Sequence, residues 1–384
     1  MENLENQEIM KKDWMIKESE LEKDGGQIAV LMATLDKSCI VSGCAGSGKS
    51  ILALIKAQRI QREKGDDYQI IVFTKALCNY MKSGRESLGL RKDFYYHEEW
   101  RWKKEMKTYA NGVSYMVYKR DEEDNKVPNM PKSDYIIVDE IQDFTEQEIR
   151  EFIQAARKNF YFFGDTAQSI FESLKDTISV EDIQFNIEEA RTAKRFDLYN
   201  NYRLPLPVAK LTHRIGVGLP PFIPSIYKST EIEAPRIIEY ESFDEQIKAI
   251  HRVIETKNLT DVAILLPHSN DVRYVYNKLN QLGGNYEVRY TDKEDWHNSK
   301  DTLNFNSSNP KIMTYHSAKG LQFEAIFMPK LEDFDDSQQK SLYVAATRTY
   351  KYLYMMWSDY EPDFLSNIPK ELYETEEITT IDDF

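Results

Sequence analysis

Cysteine is scarce in this chain: Cys39, Cys44 and Cys78 are the only three in 384 residues, with no C-x-x-C pair and no Cys/His cluster spaced for zinc. A disulfide framework and a structural zinc module are thereby excluded, and a reducing compartment is expected. Long hydrophobic runs are missing too. No apolar stretch approaches the ~18 residues that a membrane helix needs, and Met1-Glu2-Asn3-Leu4-Glu5 has neither the basic nor the apolar region of a secretory leader. The expectation is a soluble, cytoplasmic protein with no membrane partner. Repeats of fixed period and low-complexity segments are also absent. The last absence is an excess of positive charge. A net charge of -14 argues at first against a nucleic-acid partner, because phosphate binding leaves a basic footprint. Its distribution weakens that objection. Residues 1–24, a polar N-terminal segment, hold eight acids and four lysines, while residues 359–384, an acidic tail, hold nine acids and one lysine. The body between them is close to neutral, so a local basic groove is compatible with the composition, and the two ends read as solvated or partner-facing.

What is present begins with hydrophobic content: 41% suffices for large cores and, over this length, for two or three domains. Short β-like runs alternate with helical patterns at Cys39-Ile40-Val41, Ile70-Ile71-Val72-Phe73, Tyr135-Ile136-Ile137-Val138 and Phe160-Tyr161-Phe162-Phe163. Strands separated by helices imply βαβ units, a parallel sheet and a site at the strands' C-terminal ends. A second such series starts near Pro235 and continues to Tyr352-Leu353-Tyr354-Met355-Met356. The expected architecture is therefore two α/β domains. Between Lys92 and Ser133 the alternation gives way to a Trp-, Tyr-, Lys- and Glu-rich stretch that reads as an insertion, and Leu219–Pro224 reads as part of a connector.

Chemistry concentrates at two places in the first series. Gly43-Cys44-Ala45-Gly46-Ser47-Gly48-Lys49-Ser50 fits G-x-x-x-x-G-K-[ST] between a strand-like run and a helix-like one. Its glycines let backbone N–H groups turn inward on an anion, and the following helix adds its positive end. Such a loop cradles phosphates, with Lys49 reaching the β- and γ-phosphates of ATP and the Ser50 hydroxyl ligating Mg2+. The second place is Val138-Asp139-Glu140-Ile141-Gln142-Asp143, at the exit of an apolar run. Half-buried carboxylates cost several kcal/mol unless something compensates them. Here the same metal ion would compensate Asp139, while Glu140 could polarise a water. Phe163-Gly164-Asp165-Thr166-Ala167-Gln168 follows another buried run, and Gln168 suits either a γ-phosphate contact or a turn cap.

Asn201-Tyr202-Arg203, Thr314-Tyr315-His316-Ser317-Ala318-Lys319-Gly320-Leu321-Gln322-Phe323 and Tyr343-Val344-Ala345-Ala346-Thr347-Arg348 come next. In this order, from Gln27 to Arg348, the set resembles UvrD/Rep/PcrA-type superfamily 1 helicases. The resemblance implies two RecA-like domains in tandem, residues 25–203 with a short insertion at about 92–133, and residues 204–358. It also implies roles. Gln27 would read adenine, Tyr202 would stack on it, and Gly320 with Gln322 would lie at the nucleotide. Glu140 would be the base, Gln168 the γ-phosphate sensor, and Arg203 and Arg348 the cations that stabilise the transferring phosphoryl group. Thr74, Lys75, Tyr96, His97, Trp100, Thr314 and His316 resemble positions that touch the nucleic acid.

Three departures from that pattern bear on function. Phe171-Glu172-Ser173-Leu174-Lys175 stands where the family has an aromatic-Arg-Gly stretch whose ring stacks on a base, a contact worth roughly 1–3 kcal/mol. Gln322 replaces a ribose-contacting Glu. Only 110 residues separate Arg203 from Thr314, which leaves no room for a large 2B insertion, so the form expected is compact. The resemblance thus implies an ATPase that binds single-stranded DNA, in preference to RNA, and translocates 3′ to 5′ with limited unwinding alone. The alternative is an ATP-dependent switch or regulatory subunit in a DNA-processing or antiphage assembly, where a protein partner supplies the accessory surfaces.

Overall fold

The computed structural model describes residues 25–85, 88–92, 94–108, 112–168, 176–217, 226–292, 294 and 296–376. The N-terminal segment 1–24, the Phe171–Lys175 stretch, the connector prolines and the last eight residues fall outside them. Two compact units emerge. The first comprises the described part of residues 16–43 and 48–198; the second comprises residues 44–47 and the described part of 199–384.

Six described strands build the first unit's sheet, in the order Phe94–Tyr96, Tyr68–Val72, Ser133–Val138, Ala156–Gly164, Cys39–Gly43 and Lys194–Leu198. Every pairing is parallel. Cys39–Gly43 and Tyr68–Val72 are buried at every position, as strands covered on both faces must be, which is why they read as continuous apolar runs. Around them pack Ile40, Ile71, Ile136, Val138, Phe152 and Phe162, together with Trp100.

The stretch expected to be an insertion is divided. Phe94–Tyr96 joins the sheet at its edge, and Trp100 is fully buried, donating from Nε1 to Gln69 Oε1 at 2.6 Å. Beyond it, Glu105–Thr108 and Ser114–Val117 pair with each other as an exposed antiparallel ribbon. Three-residue edge strands present too short a pattern for periodicity to distinguish them from loop.

The second unit's sheet runs Arg236–Glu239, Thr349–Trp357, Phe323–Met328, Val262–Leu266, Lys311–Thr314, Glu287–Tyr290 and Lys300–Asp301. All pairs are parallel except the last. Its core joins Ile250, Val262, Ile264, Leu266, Val288, Ile312, Phe327 and Met356. Among the described residues no helix is long and apolar enough to cross a membrane.

Candidate nucleotide-binding site

The strand Cys39–Gly43 delivers the phosphate loop, and the helix Lys49–Lys64 leaves it. Gly46 and Gly48 hold positive φ, +70° and +86°, conformations that cost little only without a Cβ. Gly46 is also crowded: a Cβ there would lie 2.4 Å from Asn201 Oδ1, and Tyr202 N donates to Gly46 O at 2.9 Å. Lys49 is buried, with Nζ 2.9 Å from Gly43 O and 3.8 Å from Asp165 Oδ2. Gln27, on the helix Gly25–Met32, is buried with its amide close enough to Gly48 that a Cβ at that glycine would meet Nε2 at 2.8 Å.

Asp139 is 1% exposed at the end of Ser133–Val138. Burial, and then the adjacent Glu140 charge, push its carboxyl up to about 7, while the Ser50 hydroxyl and Lys49 oppose them. One oxygen, Oδ1, accepts from Glu140 N at 3.0 Å. The other, Oδ2, is buried and has no hydrogen-bond partner among the described residues. An orphaned buried carboxylate oxygen costs about 1–3 kcal/mol or more, and it is satisfied best by a cation. No cluster of three His, Cys, Asp or Glu suited to a metal occurs among the described residues. Asp139 and Ser50 therefore fit Mg2+ only as part of a ligand set completed by oxygens from outside the protein, such as phosphate and water.

Glu140 adopts φ +59°, ψ +42°, a left-handed conformation unusual for a residue with a Cβ. Such strain is held by its surroundings. Gln142 Nε2 donates to Glu140 Oε2, and Gln142 Oε1 accepts from Asp165 N at 3.0 Å. Asp165 in turn accepts from Ala167 N at 3.1 Å and from Gln168 Nε2. Base and sensor candidates thus belong to one buried network running Glu140, Gln142, Asp165, Gln168. Gly164 lets the network close, since a Cβ there would sit 2.6 Å from Gln142 Oε1. Gln142 was legible in sequence only as part of a family signature, and its bridging role is a product of the fold. Glu181 is another residue that sequence reasoning missed. It accepts from Ser42 Oγ at 2.7 Å and from Thr166 Oγ1, tying the ends of two strands together, and no local pattern announces it.

In the second unit, Asn201 Oδ1 accepts from Arg203 N and Leu204 N at 3.0 and 2.9 Å. Arg203 Nη2 donates to Thr347 O at 3.0 Å, and Arg348 donates from Nη2 to Thr347 Oγ1 at 3.1 Å and from Nε to Val344 O at 2.8 Å. The two arginines therefore converge on Thr347, at the C-terminal end of the helix Gln339–Ala346, where helix carbonyls attract cations. Gly320 has φ +78°, and Gln322 is half-buried.

The positions resembling nucleic-acid contacts separate into two groups. Thr74 caps the helix Lys75–Gly84 by accepting from Leu77 N at 3.1 Å, and Lys75 is exposed. Thr314 and His316 are half-buried, and burial lowers the His316 pKa. His97 and Trp100 are instead 2% and 0% exposed, packed against Phe144 and Phe152, and their rings serve the core.

Residues 26–173 match the family model described as an AAA domain, and residues 311–356 match the UvrD-like helicase C-terminal domain. No curated protein matches the chain. Among solved structures, the C-terminal domain of a possible DNA helicase from Lactobacillus plantarun WCFS1 aligns at 16% identity and a TM-score of 0.35, covering 45% of this chain and 98% of that one. The AAA match spans a parallel sheet with a glycine-rich loop at one strand's end, the makings of a P-loop NTPase fold that binds nucleotide.

Proposed function

Because the chain is a UvrD-like helicase-type protein, we propose that it hydrolyses ATP with Mg2+ and couples that hydrolysis to movement along single-stranded DNA, 3′ to 5′. The observation that carries the ATPase half is the orphaned Oδ2 of buried Asp139, with the Ser50 hydroxyl beside it. Mg2+, held by Asp139 and Ser50, would supply Lewis-acid neutralisation of phosphate charge. Lys49 would then exchange its bond to Gly43 O for phosphate oxygens.

Glu140 takes the part of the base that draws a proton from the attacking water, its carboxylate oriented by the Gln142 amide. Asp165 orients the Gln168 amide in the same network, so a change at the γ-phosphate would reach Glu140 through Gln142. Gln27 is assigned to adenine, Tyr202 to stacking on it, and Gly320 with Gln322 to the nucleotide's edge. Arg203 and Arg348 are assigned to the charge on the transferring phosphoryl group. Each sheet with its flanking helices is proposed as a RecA-like domain. Thr74, Lys75, Thr314 and His316 are the proposed strand contacts.

Steady-state ATP turnover, measured with and without single-stranded DNA, tests the coupling. Stimulation by DNA, abolished in Lys49→Ala, is the expected result. Turnover indifferent to every DNA and RNA would overturn the translocase and leave an ATP-driven switch. Strand displacement on a tailed duplex is expected to be weak for the protein alone.

A further inference from the structure

The helix Gly25–Met32 is only two turns long, and it carries Gln27 on a buried face with Val30 and Leu31. Residues three and four apart share a face, so whatever holds the last turn also sets where Gln27 stands. The final carbonyls of any helix lack intrahelical donors. Here they receive two cations from the phosphate-loop helix. Lys56 Nζ donates to Val30 O at 2.9 Å and to Ala33 O at 3.3 Å, while Arg59 Nη1 donates to Leu31 O and, at 3.0 Å, to Ala33 O.

Lys56 is an unusual residue to find there. It is 1% exposed, stands over the Tyr161 ring at 5.4 Å, and bonds carbonyls where a buried ammonium would ordinarily seek a carboxylate. Burial lowers its pKa, so the site is costly to a cation. An apolar side chain of the same length would fill the space without that cost, so packing alone does not account for the ammonium. Its donors do: they fix one register of the short helix against the phosphate-loop helix, and the negative end of the helix dipole favours them. Lys56 lies seven residues after Lys49, two turns along one face of the same helix, so the residue that grips phosphate and the one that grips the Gln27 helix share a rigid rod.

We infer that Lys56, seconded by Arg59, is a positioning residue for base recognition: it clamps the last turn of Gly25–Met32 and thereby fixes the Gln27 amide against the phosphate loop. The inference rests on the reading of Gln27 as the adenine contact. A site that reads a base by paired donor and acceptor loses discrimination when the amide shifts, because its polar groups are then left unmatched. The closeness of Gln27 Nε2 to Gly48 leaves little slack for such a shift.

The test compares KM and kcat for ATP and GTP in the full chain, for wild type, Lys56→Met, Lys56→Arg, Gln27→Ala and the Gln27→Ala/Lys56→Met pair. Lys56→Met is expected to raise KM for ATP about tenfold while KM for GTP and kcat on ATP stay within about twofold. The preference for ATP then falls towards that of Gln27→Ala, Lys56→Arg restores most of it, and the double variant is no less selective than Gln27→Ala. Equal rises in both KM values would show a merely structural lysine and overturn the inference, as would an unchanged preference in Lys56→Met when Gln27→Ala has lost it. An unchanged preference in Gln27→Ala sinks the reading of Gln27 itself and takes the clamp's purpose with it. Should Lys56→Met not fold by circular dichroism, Arg59→Gln, at a side chain 23% exposed, is read the same way with about a threefold effect expected; no change in its preference would count against the clamp.

Discussion

Glu140 combines two costs, a left-handed backbone and a carboxylate 6% exposed next to another carboxylate. A left-handed residue with a Cβ gives up about 1–3 kcal/mol; Glu140 N donates to Asp139 Oδ1 and its carbonyl accepts from Asp143 N, while the Gln142 amide bridge to Asp165 orients its side chain. Gly164 is the weak point of that bridge. Gly164→Ala puts a methyl 2.6 Å from Gln142 Oε1, 2.7 Å from Ile141 Cγ2 and 2.8 Å from Val180 Cγ2. The expected result is a loss of about 1–3 kcal/mol in urea unfolding, together with slower ATP turnover. Trp100 gives the opposite contrast. Being fully buried and bonded to Gln69, it is expected to lose about 1–3 kcal/mol of stability in Trp100→Phe, with DNA affinity by fluorescence anisotropy unchanged. A fall in affinity at unchanged stability would return Trp100 to the strand-contacting set. The motif residues themselves were legible in sequence, because phosphate loops and paired carboxylates need fixed residue types at fixed spacing. Whether a given aromatic stacks on a base or fills a core depends on burial, which no local pattern encodes.

At the scale of elements, sequence revealed the central strands and concealed both edges of the first unit's sheet. Tyr135–Val138 and Val262–Leu266 read as apolar runs because both faces are covered, whereas Lys194–Leu198 and Phe94–Tyr96, at the two edges of their sheet, carry polar residues or only three positions. Helix ends follow local chemistry more directly. Thr145 and Glu148 form a reciprocal capping box at Glu146–Ala155, the helix whose Phe152 packs on Trp100 and His97. Thr145→Ala removes the acceptor for Glu148 N and is expected to cost about 1 kcal/mol in thermal or urea unfolding, with nucleotide affinity unaffected.

For the whole molecule, the relevant quantities are net charge and ligand linkage. The acidic ends account for nearly all of the -14, so the overall charge was a poor guide to partners, and the family matches lie in the body. Nucleotide that binds only the folded state raises stability by about 2.7 kcal/mol at a hundredfold excess over Kd. A thermal melt with Mg-ATP or a non-hydrolysable analogue is therefore expected to shift up in wild type and to stay put in Lys49→Ala. The measurement closest to the central claim is ATP turnover by Glu140→Gln beside its nucleotide affinity. Turnover is expected to fall about 10²–10⁴-fold with affinity within about threefold of wild type, whereas turnover close to wild type would show that Glu140 is not the base.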